Sequence, residues 1–294
     1  MKRFSKIIVN ILAIVMLMLS CFSLVACEDI RRIAITVEVY DMETETMEER
    51  TLTIDLYRHL APDTVDSIVA LVNEGYYDSS AEKGELFFYT MGSYKQIMLG
   101  NFLYKDEGIE VNGNPPTING EFNANGVIGS NLTHTEGAIG LWRTWSAEGS
   151  YSENDGYANT GSATWFMPTS DLSSSYDGYF CIFGRFNFES GSENNEIWQD
   201  IKAMFNNGIT YYEKYEVFYT GEYNPEVENC GLTANVIEYD NFKEENISGL
   251  FKAEGKFASA PQMYNHYTIN VPVINKENGG TKQVGARIVK MEVV

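Results

Sequence analysis

Hydrophobic and polar positions along the chain fall into distinct periods. Residues 7–19 are apolar except for Asn10. Residues 33–40 and 51–57 then alternate apolar and polar, the pattern of strands with one buried face. The acidic stretch 41–50 between them predicts a hairpin with a long loop. The period changes after Ala61-Pro62-Asp63-Thr64-Val65, where Val65, Ile68, Val69, Leu71 and Val72 fall on one helical face. Asp63 is the expected cap of that helix and Gly75 its end. Short apolar runs follow at 87–90, 97–99, 138–142, 165–167 and 179–183, separated by Gly, Asn and Ser. Residues 146–160 read as a surface loop, and 196–205 as a second helix. Residues 207–282 are less regular, although the Tyr-rich stretch 211–219 reads as a packed strand, and 287–293 is the last strand. Many short strands with only two good helices predict a mainly β chain, closed into an antiparallel barrel that leaves no edge exposed.

The first apolar run lies behind Lys2, Arg3 and Lys6 and is too short for a comfortable membrane span. A basic start, a short apolar core and small residues before a cleavage point are the marks of an export signal. Leu24-Val25-Ala26-Cys27 resembles the lipobox of bacterial lipoproteins. That resemblance implies removal of residues 1–26, acylation of Cys27 and a membrane-held protein on the extracytoplasmic face of the cell membrane. Residues 27–32 are then a tether and 33–294 the folded domain, with 207–282 as an insertion before the last strand.

Charge narrows the partners. Against 41 Asp and Glu the chain has 21 Lys and Arg, for a net charge of −20. Such a surface repels phosphate backbones, so nucleic acid is not an expected partner. Once Cys21 leaves with the signal and Cys27 takes lipid, Cys181 and Cys230 remain, allowing at most one disulfide. Cys181 lies in an apolar run and reads as a small buried hydrophobe. His59, His134 and His266 show no metal-ligand spacing with these cysteines, and neither a Gly-rich phosphate loop nor a Ser-His-Asp arrangement stands out. No metal and no cofactor are expected. The acidic pairs Glu48-Glu49 and Glu244-Glu245 read as solvated surface.

Several segments, in order, resemble the cyclophilin family of peptidyl-prolyl isomerases. They are Asp55-Leu56-Tyr57 with Ala61-Pro62-Asp63-Thr64-Val65, then Gly75-Tyr76-Tyr77-Asp78, then Glu121-Phe122. The block from Asn131-Leu132-Thr133-His134 to Leu141-Trp142-Arg143-Thr144 follows. Ser162-Ala163-Thr164-Trp165-Phe166-Met167, Tyr176-Asp177-Gly178 and Phe183-Gly184-Arg185 complete the set. The resemblance spans residues 33 to 206 and the final strand, and implies an eight-stranded antiparallel barrel capped by two helices. It also implies proline-containing segments of exported proteins as partners.

The site positions that this resemblance brings over are largely replaced. Thr90 stands at the family's arginine, Met98 and Thr164 at its two glutamines, Phe180 at its pocket histidine, and Ser175 at its tryptophan. Lys95 and Gln96 align with an apolar Phe-Met pair. Phe166, the aromatic floor of the proline pocket, matches outright. Trp142, Arg143 and Tyr176 fall at further groove positions, and His134 reads as a structural hydrogen-bonding residue.

Prolyl rotation faces a barrier of about 18–20 kcal/mol, and only interactions selective for the twisted amide lower it. A hydrogen bond from a charged donor contributes roughly 1.5–3 kcal/mol and one from a neutral hydroxyl about 1. Arg→Thr alone therefore predicts a loss of about tenfold or more. The expected function is a weak prolyl isomerase acting on exported chains. The alternatives are a non-catalytic proline-segment or protein-binding module on the same scaffold, with the insertion contributing to recognition, and a purely structural surface lipoprotein.

Overall fold

The computed structural model describes residues 30–41, 43–91, 95–106, 108–127, 132–143, 158–186, 188, 192–206, 211–220, 233–238, 264–274 and 283–294. The leader, Cys27, Cys230, Glu244-Glu245 and most of 146–160 lie outside them.

The chain is mainly β. Strands β1 (Ile30–Asp41) and β2 (Thr46–Tyr57) form the predicted hairpin, with a shorter connection than the acidic stretch suggested. Because β1 starts at Ile30, residues 30–32, read from sequence as tether, already run in the strand. Arg31 reaches Asp66 at 3.2 Å and Arg32 reaches Asp55 at 2.6 Å. Helix α1 (Pro62–Asn73) follows, then β3 (Glu85–Phe87), β4 (Tyr89–Met91), β5 (Gln96–Leu99), β6 (Phe102–Lys105) and β7 (Gly108–Val111). Next come β8 (Ala138–Leu141), β9 (Trp165–Pro168), a single turn α2 (Ser173–Tyr176), β10 (Cys181–Phe186) and α3 (Glu193–Asn206). The insertion supplies β11 (Tyr211–Thr220), β12 (Thr233–Glu238) and β13 (Tyr264–Ile274). The short β14 (Gln283–Val284) and β15 (Ala286–Val293) end the chain.

Hydrogen-bonded neighbours run in the order β4-β5-β9-β8-β10-β2-β1-β15-β3. The circuit closes because β3 continues into β4 through Phe88, whose N–H donates to Ala286 O at 3.1 Å. Strands β5 and β6 are likewise one strand bent at Gly100-Asn101. Gly100 sits at φ +108, where an added Cβ would lie 2.2 Å from Ala163 O, so only glycine fits the bend. The nearly closed antiparallel barrel is the class that the resemblance implied, although bends and the insertion raise the number of strands among the described residues above eight.

One face of this wall is the interior. Ile33, Ile35, Val37 and Val39 of β1 meet Leu52, Ile54 and Leu56 of β2, Trp165 and Met167 of β9, and Phe183 of β10. Val65, Ile68, Leu71 and Val72 of α1, with Ile197, Trp198 and Ile201 of α3, join the same cluster and cap the barrel. The Trp165 indole N–H donates to Tyr77 Oη at 3.0 Å, and Tyr77 in turn donates to Ala163 O at 3.0 Å. Cys181 is free and buried here, as expected of a small hydrophobe, and burial pushes its thiol up to about 12.

Asp63 does not cap α1. The N-cap is Ala61, with Pro62 in the first turn, and no side-chain cap is made locally. Glu121 supplies the acceptors from far along the chain, taking Asp63 N–H at 3.1 Å and Thr64 N–H at 2.8 Å. A buried carboxylate here satisfies two orphan donors and complements the positive end of the helix.

Candidate functional site: an aromatic cluster on the outer face of the barrel

Side chains alternate across the barrel wall, so the neighbours of interior residues point outward. Met98 of β5 lies opposite Phe166 of β9 and opposite Tyr89 of β4. Phe166 lies opposite Gly140 of β8, where an added Cβ would meet its ring at 2.4 Å. Glycine at 140 is thus what lets the Phe166 ring lie against the sheet.

Around Phe166 the expected groove residues come together. Its ring is T-shaped to Trp142 at 5.7 Å, to Tyr176 at 5.5 Å and to Phe180 at 5.3 Å, and stacks on His134 at 5.5 Å. Trp142 stacks on Phe180 at 5.3 Å, and Tyr176 meets Phe180 at 4.7 Å. Backbone pairing holds the set in place, since Trp142 N–H donates to Thr164 O at 2.8 Å. Phe166 and Met98 are 0% exposed, Phe180 3% and Trp142 5%. Loop 176–180 has folded its aromatic side chains onto the floor residue.

The cations and polar groups are disposed around this cluster. Arg143 is buried, donates from Nε to Tyr179 O at 2.9 Å, and lies over the Phe122 ring at 4.9 Å and the Phe180 ring at 5.3 Å. It braces the loop that carries Phe180, a positioning role. Thr90 is fully buried but out of phase with Met98: it faces Ile97 and Asn270, while Tyr89 takes the place opposite Met98. The threonine aligned with the family arginine therefore points away from the Phe166 cluster. Thr164 is 8% exposed at the edge of the set.

His134 is 1% exposed and donates twice to Asp177 Oδ1, from Nδ1 (2.7 Å) and from its own backbone N–H (2.9 Å). Burial lowers its pKa below the ordinary 6.5, outweighing the opposing pull of Asp177. A neutral, doubly anchored imidazole stacked on Phe166 is a structural group. Burial also raises the Tyr176 hydroxyl to about 12, against a hydrogen bond with Gln96.

Two components of the site go beyond what the sequence placed there. Gln96, aligned with one of the family's apolar pair, is buried on β5, donates to Met98 Sδ at 3.7 Å and bonds Tyr176. Its spacing of two from Met98 was a usable signal, since i and i+2 share a face. The second is the insertion. Strand β13 pairs with β4, and Tyr215, Val217, Ile269, Val271 and Val273 join Tyr89, Met98, Trp142, Phe166 and Phe180 in one apolar cluster. A cavity of about 220 Å³ remains beside it, walled by Trp142, Thr164, Val111 and Pro115 and by Thr233 and Ala234 of β12. No group of three metal-ligating side chains occurs among the described residues.

The family model for cyclophilin type peptidyl-prolyl cis-trans isomerases matches residues 39–204, more than half of the chain. Comparison with curated proteins gives no match. Among solved structures, a cyclophilin type peptidyl-prolyl cis-trans isomerase from Cryptosporidium parvum is similar at 13% identity and a TM-score of 0.38, over 70% of this chain and 98% of that one. Its structure in the presence of the dipeptide Ala-Pro gives 14% identity and 0.36, over 70% and 99%. The cyclophilin AquaCyp293 from Hirschia baltica gives 13% identity and 0.34, over 82% and 93%.

Proposed function

Since the chain belongs to the cyclophilin type peptidyl-prolyl cis-trans isomerase family, we propose that it is a membrane-anchored, extracytoplasmic member acting on exported proteins, with weak or no isomerase catalysis. One observation carries the second half of this reading: Phe166, the floor on which a proline ring would sit, is 0% exposed beneath Trp142, Tyr176 and Phe180. A catalyst must grip the prolyl ring and donate to the prolyl nitrogen as conjugation is lost. Here Arg143 is engaged with Tyr179 O, and Thr90 faces away from Phe166. Isomerisation of Ala-Pro and Gly-Pro peptides, followed by exchange spectroscopy, should run at least tenfold below an ordinary cyclophilin. Equal rates would refute the reading.

The cavity beside Trp142 favours a second reading, a non-catalytic binding module for proline segments or proteins on the same scaffold. Binding without turnover in that experiment supports it, and neither supports a purely structural role. The anchoring half rests on the lipobox resemblance at Cys27. Mass spectrometry of the membrane fraction should find the mature chain beginning at an acylated Cys27, and a Cys27→Ser variant should leave the membrane.

A further inference from the structure

The described residues expose two large apolar side chains, Val293 at 38% and Val294 at 67%, and both lie at one end of the barrel. Val293 is opposite Ile33 of β1, and Val294 N–H donates to Arg32 O at 3.0 Å. The end of β15 is thus laid against the start of β1. That start is also where a lipid on Cys27 would hold the domain, since the chain from Cys27 to Arg31 spans at most about 15 Å.

Charge is graded along the same strands. At the start of β1, Asp66 meets Arg31 at 3.2 Å and Arg58 at 2.7 Å, and Asp55 meets Arg32 at 2.6 Å. Glu292 of β15 meets Lys290 at 2.6 Å. Ahead of Arg31 and Arg32 stand Glu28 and Asp29, so acids and bases nearly balance at this end. The other end of the hairpin carries Asp41, Glu43, Glu45, Glu48 and Glu49 against Arg50, which is taken by Asp200 at 2.6 Å. The 12 residues of β1 rise about 3.3 Å each, so roughly 40 Å of strand separates the two ends. Screening acts over about 8 Å, so each end meets a charged surface on its own account.

A bilayer discriminates between such ends. Anionic lipids repel the acidic turn far more than the balanced end. Valine side chains enter the headgroup layer with no polar group to desolvate. A guanidinium has five donors, so one already on a carboxylate also takes a lipid phosphate, and the Arg32 side chain is 59% exposed. We propose that this end of the barrel is a membrane-docking face, with Val293 and Val294 in the headgroup layer and Arg31, Arg32 and Arg58 on lipid phosphates. This rests on the lipid-anchor reading above. A lipid on a short tether leaves the domain free to turn. The docking face fixes its orientation, with the acidic turn pointing away from the bilayer.

The test reads membrane depth from a label. Bimane is placed on Val293→Cys or, at the acidic turn, on Glu43→Cys, in a Cys230→Ser background; Cys181 is buried and does not react. The acylated chain is reconstituted in vesicles of phosphatidylcholine and phosphatidylglycerol, with and without phosphatidylcholine that carries a nitroxide high on its acyl chain. Quenching by the nitroxide should be at least threefold greater at 293 than at 43. Adding Val294→Asp should reduce it at least twofold at 293. Near-ultraviolet circular dichroism should stay unchanged, because the Val294 side chain is exposed. Equal quenching at the two positions, or no response to Val294→Asp, overturns the proposal. The same labels are read on a chain in which a hexahistidine tag replaces residues 1–27 and is held by nickel-chelating lipid. If Cys27 proves to carry no lipid, the anchor reading fails, and this tag-held form still decides the docking face by the same two criteria.

Discussion

Two neighbouring residues of β9 show how differently the two sides of the barrel wall are used. Trp165 points inward to Tyr77 and Phe183, at 5.1 and 5.3 Å, and Phe166 points outward to Trp142 and Phe180. Both are fully buried. The inner residue is covered by elements that belong to the barrel itself. The outer one is covered by loop 176–180, with an inserted ribbon on the strands beside it. In this family member the outer face has become a second core. On the reading proposed above, a floor packed in this way is closed to a proline ring even though its phenylalanine is retained.

The largest expected effect tests whether the two cores differ in tightness. Trp165→Ala should cost about 3–5 kcal/mol, because the closed interior cannot collapse around the void. Trp142→Ala should cost less than about 3 kcal/mol, because Trp142 lines the 220 Å³ cavity and solvent can fill the space. It should also bind proline peptides more tightly than the unaltered protein does. Urea denaturation of both variants, with peptide titration of the second, checks the pair. Equal losses would mean that the outer face is as rigid as the interior.

Next comes Gly140→Ala, which acts on the outer side alone. The new methyl would meet Phe166 at 2.4 Å and force the ring off the sheet. Overpacking of this kind costs about 1–3 kcal/mol. The same change should disturb the stacked His134, so its imidazole proton resonances should shift while those of the interior Trp165 indole stay in place.

What could be read from the sequence follows the same division. The interior was legible because its rule is local: Ile33, Ile35, Val37 and Val39 alternate, and Val65, Ile68 and Val72 recur at helical spacing. The ordered family segments then gave the barrel and most of the residues around Phe166. Of the ribbon, the Tyr-rich strand β11 was legible but its place was not. Its pairing of Asn270 with Thr90 joins residues far apart in sequence, and no local period announces which edge a strand will take. The facing of β4 was not legible for a related reason. The bend at Phe88 breaks the strand, so alignment alone could not tell that Tyr89, rather than Thr90, would face Met98. The cap of α1 shows the limit at small scale: Asp63 is the obvious local choice, yet the acceptor comes from Glu121.

That cap gives a smaller prediction, confined to the inner side. Glu121→Gln keeps one acceptor oxygen but loses the charge facing the helix terminus, a change expected to cost about 1 kcal/mol. Hydrogen exchange at Asp63 and Thr64 should speed up while the outer cluster is unaffected. Spread of the effect to Trp142 would mean that the two cores share one cooperative unit.

The smallest effect expected is a pH dependence that reports on the outer side. His134 titrates in the folded protein below the ordinary 6.5, because its burial against Phe166 outweighs the attraction of Asp177. The unfolded chain therefore binds a proton first as pH falls. The stability that neutral His134 contributes is complete above 6.5 and is lost progressively as pH drops from there toward the folded value. Each tenfold difference in proton affinity between the two states corresponds to about 1.4 kcal/mol. Melting temperatures measured between pH 7.5 and 5 should fall more steeply for the unaltered protein than for His134→Gln, which has no titrating group at that place. Asp177→Asn should steepen the fall, because removing the carboxylate leaves burial unopposed. If Asp177→Asn flattened the profile instead, the ion pair rather than burial would govern the imidazole, and the outer face would be wetter than a core.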